Sequence, residues 1–359
     1  MLKRSSVALA ATAAAAALLL AACSSTSSSS SAAATTSPTP VKRVCVILPD
    51  SASSPRYEQG DRPALQSAIT AAGFTADIQN AQGDTAKYGT IADQQLAGGC
   101  GVMILDDLNG AAVQVTVKAK AQGIPVIAYD RPIAGSDYYV SFDNVKVGAM
   151  EGQTIVDALK AEGKNPATAS VVYVGGDVAD GNAKMFMDGA VAAMSAAGIK
   201  PAVVTPGVWD GAKSATYFEQ AYTKLKGKVD AVWVANDTNA AGVITILDKF
   251  HKVVPVSGQD ASLAGLQNIL LGKQTSTVYK PFKLEADSAA RIAIALLQGT
   301  TPTVNSQLPD GTPFDAQTPI LIRAKDIAGL VAQNAVGMPT AADICTGAVA
   351  AACTKYGVK

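Results

Sequence analysis

Histidine is almost absent, with one residue, His251, in a chain of 359. Imidazole-based metal sites and most Ser–His–Asp chemistry are poorly provided for by a single such side chain. Aromatic residues are also scarce, at 5%, so each Trp, Tyr or Phe found beside polar residues carries weight. No charge sign dominates: 29 Lys and Arg balance 29 Asp and Glu, which argues against a nucleic-acid binder or an acidic tail. Beyond the N-terminus no run of about 18 uninterrupted apolar residues occurs, so no spanning helix is expected there. Common enzyme signatures are missing too. No Gly-x-Gly-x-x-Gly opens a helix, no phosphate loop ends in Gly-Lys-Ser/Thr, and there is no Gly-x-Ser-x-Gly elbow. What is present is material for a core, 48% apolar against 16% charged residues. At about 100–200 residues per domain, the length suits two domains, with three as the alternative.

The N-terminus reads as a targeting segment. Lys3 and Arg4 precede an apolar stretch over 7–22 that is too short to span a membrane and ends in small residues. Leu20-Ala21-Ala22-Cys23 resembles the bacterial lipobox, so residues 1–22 read as a lipoprotein signal peptide and Cys23 as the lipidated first mature residue. The alternative is an ordinary signal peptide with a chance cysteine. Residues 23–40, rich in Ser, Thr, Ala and Pro, read as a disordered tether. Export permits disulfides, and four cysteines remain. Cys345 and Cys353, eight apart in a terminal tail, are expected to pair, whereas Cys45 and Cys100 could be a bridge or two buried thiols.

From Lys42 onward, short β-rich runs alternate with Ala-rich amphipathic stretches. Strands are expected at 44–48, 76–79, 102–105, 125–129, 138–142, 170–174, 202–205, 231–235, 253–257 and 275–279. Helices are expected at 58–72, 85–97, 111–122, 145–162, 182–197, 213–227 and 238–249. Such alternation predicts an α/β fold with parallel sheets covered on both faces, and this many strands suits two similar doubly wound lobes. Ligands bind beyond the carboxyl ends of such strands, so the residues that follow each run matter most. They are Asp130-Arg131 after 125–129, Asp177 and Asp180 to Lys184 after 170–174, Trp209-Asp210 after 202–205, Asn236-Asp237 after 231–235, Gln259-Asp260 after 253–257 and Lys280 after 275–279. Carboxylates, amides and cations with a few rings suit a polyhydroxylated ligand, whose hydroxyls they can bond and whose C–H faces rings can cover.

Four segments carry a family resemblance in order: Ala128-Tyr129-Asp130-Arg131, Ser141-Phe142-Asp143-Asn144-Val145-Lys146-Val147-Gly148, Ser257-Gly258-Gln259-Asp260-Ala261 and Thr277-Val278-Tyr279-Lys280-Pro281. They resemble the periplasmic sugar-binding proteins of ABC importers, within them the xylose-binding branch. The resemblance implies two lobes joined by three hinge segments, an N-lobe of 41–143 and 281–318 and a C-lobe of 144–280 and 319–333. The tail, 334–359, lies outside it. It further implies that Arg56, Asp130, Arg131, Asn182, Asn236, Asp260 and Lys280 contact the sugar, with Trp209 stacking and Tyr57 standing where the xylose binders often have tryptophan. Gly181 replaces an asparagine of the family's Asp-Asn-Asn-Ala stretch, and Pro49-Asp50 replaces a more acidic opening.

Each of these residues has a plainer reading. Asp130-Arg131 could be a surface ion pair, Trp209 rim packing and Lys280 a solvated lysine. Asn182, Asn236 and Asp260 could be helix caps, and Asp106-Asp107, which follow 102–105, could line the cleft or equally make a turn. His251 has no assigned role. The implied function is that of a lipid-anchored, monomeric receptor on the outer face of the cell membrane. It captures xylose or a similar aldose and delivers it to an ABC permease, without metal, cofactor or nucleic acid. The alternatives are a receptor that presents the sugar to a membrane sensor kinase and, with Asp130 and Asp260 as acid and base, a glycoside-processing enzyme. A carboxylate that faces the ligand has few protein partners to abandon, so removing Asp130 or Asp260 is expected to cost binding but little stability.

Overall fold

A computed structural model of the chain describes residues 42–359. The expected signal peptide 1–22, Cys23 and the tether 23–40 lie outside the described residues. The first elements are β1 (Arg43–Leu48), α1 (Arg62–Ala71), β2 (Thr75–Asn80), α2 (Thr85–Ala97), β3 (Val102–Leu105), α3 (Ala111–Ala121), β4 (Val126–Tyr129) and β5 (Tyr138–Phe142). Next come α4 (Asn144–Ala161), β6 (Val171–Val174), α5 (Gly181–Ala196), β7 (Pro201–Val204), α6 (Gly211–Lys224), β8 (Ala231–Val234), α7 (Asp237–Lys249) and α8 (Leu263–Leu270). The chain closes with β9 (Thr277–Tyr279), α9 (Phe282–Leu297), β10 (Ser306–Gln307), β11 (Pro313–Gln317), β12 (Ile320–Ile322) and three short helices beyond Asp326.

Two sheets result. The first has the order β10-β11-β5-β4-β3-β1-β2, parallel except at β10. Its central strands β1, β3 and β4 are apolar on both faces because helices cover both. Cys45 and Ile47 pack with Met103, Leu105 and residues of α2 and α3, while Val44, Val46 and Leu48 pack with Ile104 and residues of α1 and α9. The second sheet has the parallel order β7-β6-β8. Single bridges, Val232 to Val256 and Gln259 to Val278, continue it towards the antiparallel pair β9 and β12. The chain passes between the two sheets after β5, between β9 and α9, and between β11 and β12. Each sheet with its helices is a lobe, and the strand ends of both open on the space between them.

Local departures from the expected elements have local causes. The run 253–257 makes one bridge rather than a strand, because Pro255 offers no N–H to a ladder. The expected helix 58–72 begins as a wide π turn, Tyr57–Asp61, before α1. Such turns frequently mark functional sites. Helices α8 and α9 and strands β10 to β12 had no counterpart among the expected elements. Helices α4 and α5 meet backbone to backbone: a Cβ at Gly148 would collide with the Phe186 carbonyl, and one at Gly189 with that of Val145. That close approach fixes the N-terminal end of α5, which reaches the cleft.

Cys345 is joined to Cys353 in the tail, where Ile344, Val349 and Cys353 pack on Leu266 and Ile269 of α8. Of the two alternatives for Cys45 and Cys100, the structure has the bridge, which ties β1 to the turn before β3. Peptide mapping under non-reducing conditions is expected to recover these two linked pairs. Free thiols at any of the four positions, or exchanged partners, would contradict the arrangement.

Candidate functional site

One buried cavity between the lobes is lined by Arg56, Tyr57, Asp130 and Arg131 from the first lobe, and by Asn182, Trp209, Asn236, Asp260 and Lys280 from the second lobe and the β9–α9 crossing. Thus every residue assigned by resemblance to the sugar lies around a single space. That space is small, about 20 Å³, room for one or two waters.

Asp130 is the hub. It follows β4 with φ 55°, a left-handed backbone uncommon outside glycine and often found at functional sites. The turn is held through its carbonyl, which accepts from Tyr139 Oη at 2.8 Å, Ser141 Oγ at 2.7 Å and, across the cleft, Asn182 Nδ2 at 2.9 Å. Its carboxylate accepts from Tyr57 Oη at 2.8 Å and faces Arg56 at 3.3 Å and Lys280 at 3.4 Å. Burial works against charge there, but Lys280, Arg56 and Arg131 with the Tyr57 hydroxyl outweigh it and hold the carboxyl well below the usual range. The expectation that Asp130 has few protein partners is therefore corrected. Asp130 and Arg131 are not a surface ion pair either: both are buried, and they turn to different partners.

Arg56 is engaged from behind. Its guanidinium donates to Asp61 at 2.8 and 2.7 Å and to Glu285 of α9 at 2.6 Å. Tyr129 also donates to Asp61. Arg131 reaches across the cleft to Asp180 at 3.2 Å, donates to Ser53 Oγ at 3.2 Å, and has Asp106 behind it at 3.7 Å. The Tyr57 ring has both guanidiniums over it, with Arg56 5.4 Å and Arg131 5.5 Å from its centre. Around the cavity, Asp61, Asp106, Asp130, Asp180, Asp260 and Glu285 outnumber Arg56, Arg131 and Lys280. Burial accordingly pushes the Asp106 and Asp180 carboxyls up, and that of Glu285 to about 8 despite its contact with Arg56.

The second lobe closes on this array. Ser54 Oγ donates to Asp260 at 3.0 Å, and Asn236 Nδ2 donates to the Ser53 carbonyl at 3.1 Å. Asp260 has φ 96° and Oδ1 buried without a hydrogen-bond partner, Lys280 Nζ being 3.7 Å from it. Gln259 Oε1 is a second buried acceptor without a donor. Trp209 Nε1 donates to Asp180 at 2.9 Å, which fixes the ring.

The plainer readings separate. Asn182 does not cap α5; Asp180 does, accepting from the Asn182 N–H at 2.8 Å. Asp260 does not cap α8; Ser262 does. Asn236 does both, capping α7 through Asn239 N at 2.9 Å while its amide crosses the cleft. Lys280 is 4% exposed, not solvated. Asp107 makes the turn, accepting from Gly110 and Ala112, and leaves Asp106 behind Arg131. His251 sits past α7 with φ 51° and outside the cavity.

The cavity also takes in Ser53, Ser54, Asp180, Phe186 and Gln259, which sequence reasoning left unassigned. Asp180 and Gln259 stood in the polar clusters that follow strands, so their signal was present. Phe186 was findable only as Asn182 plus four on one helix face. Asp61 and Glu285 gave no local signal, because their value lies in reaching Arg56.

Comparison with known proteins agrees with this geometry. The family model described as periplasmic binding protein domain matches residues 45–301. The chain is 32% identical to the D-xylose-binding periplasmic protein of Escherichia coli over 294 residues, 77% of this chain and 86% of that protein. It is 36% identical to the D-xylose-binding periplasmic protein of Haemophilus influenzae over 263 residues, 70% of this chain and 77% of that one. An ABC transporter solute-binding protein from Clostridium phytofermentans, solved with bound β-D-glucose, superposes with a TM-score of 0.76 at 25% identity, covering 84% of this chain and 100% of that one.

Proposed function

The chain belongs to the periplasmic binding protein family, and from that premise we propose that it is an extracytoplasmic receptor for an aldose, D-xylose or a close relative, which it hands to an ABC importer. The observation that carries this reading is the convergence of buried polar groups from both lobes on one cavity, in which Asp260 Oδ1 and Gln259 Oε1 accept from nothing. A ring bearing several hydroxyls would donate to these acceptors and receive bonds from Lys280, Arg131 and Asn236. The relatives named for D-xylose and the neighbour holding β-D-glucose support an aldose. The lipobox-like Leu20 to Cys23 supports attachment to the membrane through a lipid on Cys23.

The family is one of solute-binding proteins, and the cleft works without a chemical step. With about 20 Å³ between the closed lobes, a pyranose is admitted only when the cross-cleft contacts part. Ser54–Asp260, Arg131–Asp180 and Asn236–Ser53 are then exchanged for contacts to sugar hydroxyls from both sides. Sugar shifts the open–closed equilibrium by as much as it prefers the closed form.

Calorimetric titration with D-xylose and other aldoses is expected to find one site per chain. In Asp260→Gly, glycine being chosen because Asp260 has φ 96°, the Kd should rise at least about tenfold, or ~1.4 kcal/mol, with little change in Tm, since Ser54 is the sole hydrogen-bond donor to its carboxylate. Absence of binding to every aldose at millimolar concentration would end the reading.

A further inference from the structure

The closed cleft has a second, outer chamber of about 470 Å³. This lies within the roughly 300–1,000 Å³ of small-molecule sites. Both lobes wall it, with Asp50, Gln82 and Asn109 from the loops after β1, β2 and β3, and Asp177, Asp210 and Lys213 from the loops after β6 and β7 and the start of α6. Ser53, Arg131 and Trp209 line both this chamber and the inner cavity, and so form the partition between them.

The partition is made of parts a sugar can use. Trp209 is half-buried and rests on Gly176, where a Cβ would collide with the indole, and its N–H is tied to Asp180. A ring held so firmly offers a flat wall to the C–H side of a pyranose. Beside it, Arg131 bonds Ser53 Oγ at 3.2 Å and faces Asp180 at 3.2 Å, polar contacts that a glycosidic oxygen and a neighbouring hydroxyl can replace. The chamber beyond offers three carboxylates and two amides against a single lysine. That set repels an anion and accepts hydroxyls.

We propose that the outer chamber is a second sugar subsite, so that the ligand class includes a disaccharide with one ring at Asp130 and Asp260 and the next against Trp209. This rests on the reading of the inner cavity as an aldose site.

The test is titration of the full chain with two pairs, D-xylose and xylobiose, D-glucose and cellobiose. Each is repeated on the double variant Asn109→Gly, Lys213→Ala, which alters the outer chamber only. Glycine is chosen because Asn109 has φ 51°, which alanine adopts poorly. A disaccharide is expected to bind the unaltered chain with a Kd within about tenfold of its monosaccharide. The double variant should weaken the disaccharide by about tenfold, ~1.4 kcal/mol, and leave the monosaccharide unchanged. Monosaccharide binding with no disaccharide binding overturns the subsite and leaves the aldose reading standing. So does disaccharide binding that the double variant does not weaken. Failure of both monosaccharides removes the aldose reading, and the subsite with it.

Discussion

Replacing Asp130 by glycine, which accepts its φ of 55°, is expected to abolish measurable sugar binding and to lower folding stability by about 3–5 kcal/mol, the range for breaking a buried ion pair from one side. The binding loss follows from its place at the centre of the cavity, between groups of both lobes. The stability loss follows from what the carboxylate leaves behind. Arg56 keeps Asp61 and Glu285, but Lys280 loses its nearer partner at 3.4 Å and keeps only Asp260 at 3.7 Å, while Tyr57 Oη loses its acceptor. A buried ammonium with one weak partner is costly. Calorimetric unfolding and titration of Asp130→Gly beside Asp260→Gly make the measurement. A variant at Asp130 as stable as the one at Asp260 would mean that the cation cluster is hydrated rather than sealed, and the account of the hub would be withdrawn.

Arg56→Met is expected to cost about 3–5 kcal/mol at pH 8 and distinctly less at pH 5. The reason is the crowd of carboxyls on one guanidinium: Asp61, Asp130 and Glu285 all lie within 3.3 Å of Arg56. Burial already raises Glu285 to about 8 with the cation present, against Arg56's pull and with Asp130 and Asp61 adding to the rise. A carboxyl raised on folding binds its proton more tightly in the folded chain. Its stabilisation is complete below the unfolded value near 4.5 and is lost as pH climbs through the folded one. Asp237, raised by burial to about 7, acts in the same direction. Asp130 acts oppositely, since its carboxyl is held low, so its contribution is present above the unfolded value of 3.8 and lost on acidification. Stability of the unaltered chain should therefore fall as pH rises from about 5 to about 8, and more steeply in Arg56→Met, where low pH lets the crowded carboxyls take up protons. The check is Tm against pH for both chains. Parallel curves would show that Arg56 does not govern the cluster's protonation.

The alternation of apolar runs and Ala-rich stretches, read along the chain, determined the α/β class and most elements. β3, β5 and α2 were expected with the bounds they have, because their signals are local: apolar runs closed by polar residues, and a helix started by Asp84. The family resemblance carried by the ordered motifs, with the strand-end rule beside it, pointed to Arg56, Tyr57, Asp130, Arg131, Asn182, Trp209, Asn236, Asp260 and Lys280, which the structure gathers around one cavity. Which residues a strand's end delivers to the cleft is written in the chain that follows it.

Tertiary structure alone decided who pairs with whom. Glu285 reaches Arg56 across 229 positions, and Asp260 accepts from Ser54 across 206. Hydrogen bonds at such separation leave no pattern in a window of ten or twenty residues. The bridge between Cys45 and Cys100 exists because β1 and β3 pair side by side, which no spacing of cysteines states. Asp130 is the clearest case. From its sequence neighbours it is a carboxylate at a strand mouth, free to face a ligand. Only the packing of Arg56, Lys280 and Tyr57 around it makes it a structural anchor as well, because the energy of a buried charge depends on the groups brought to it in space.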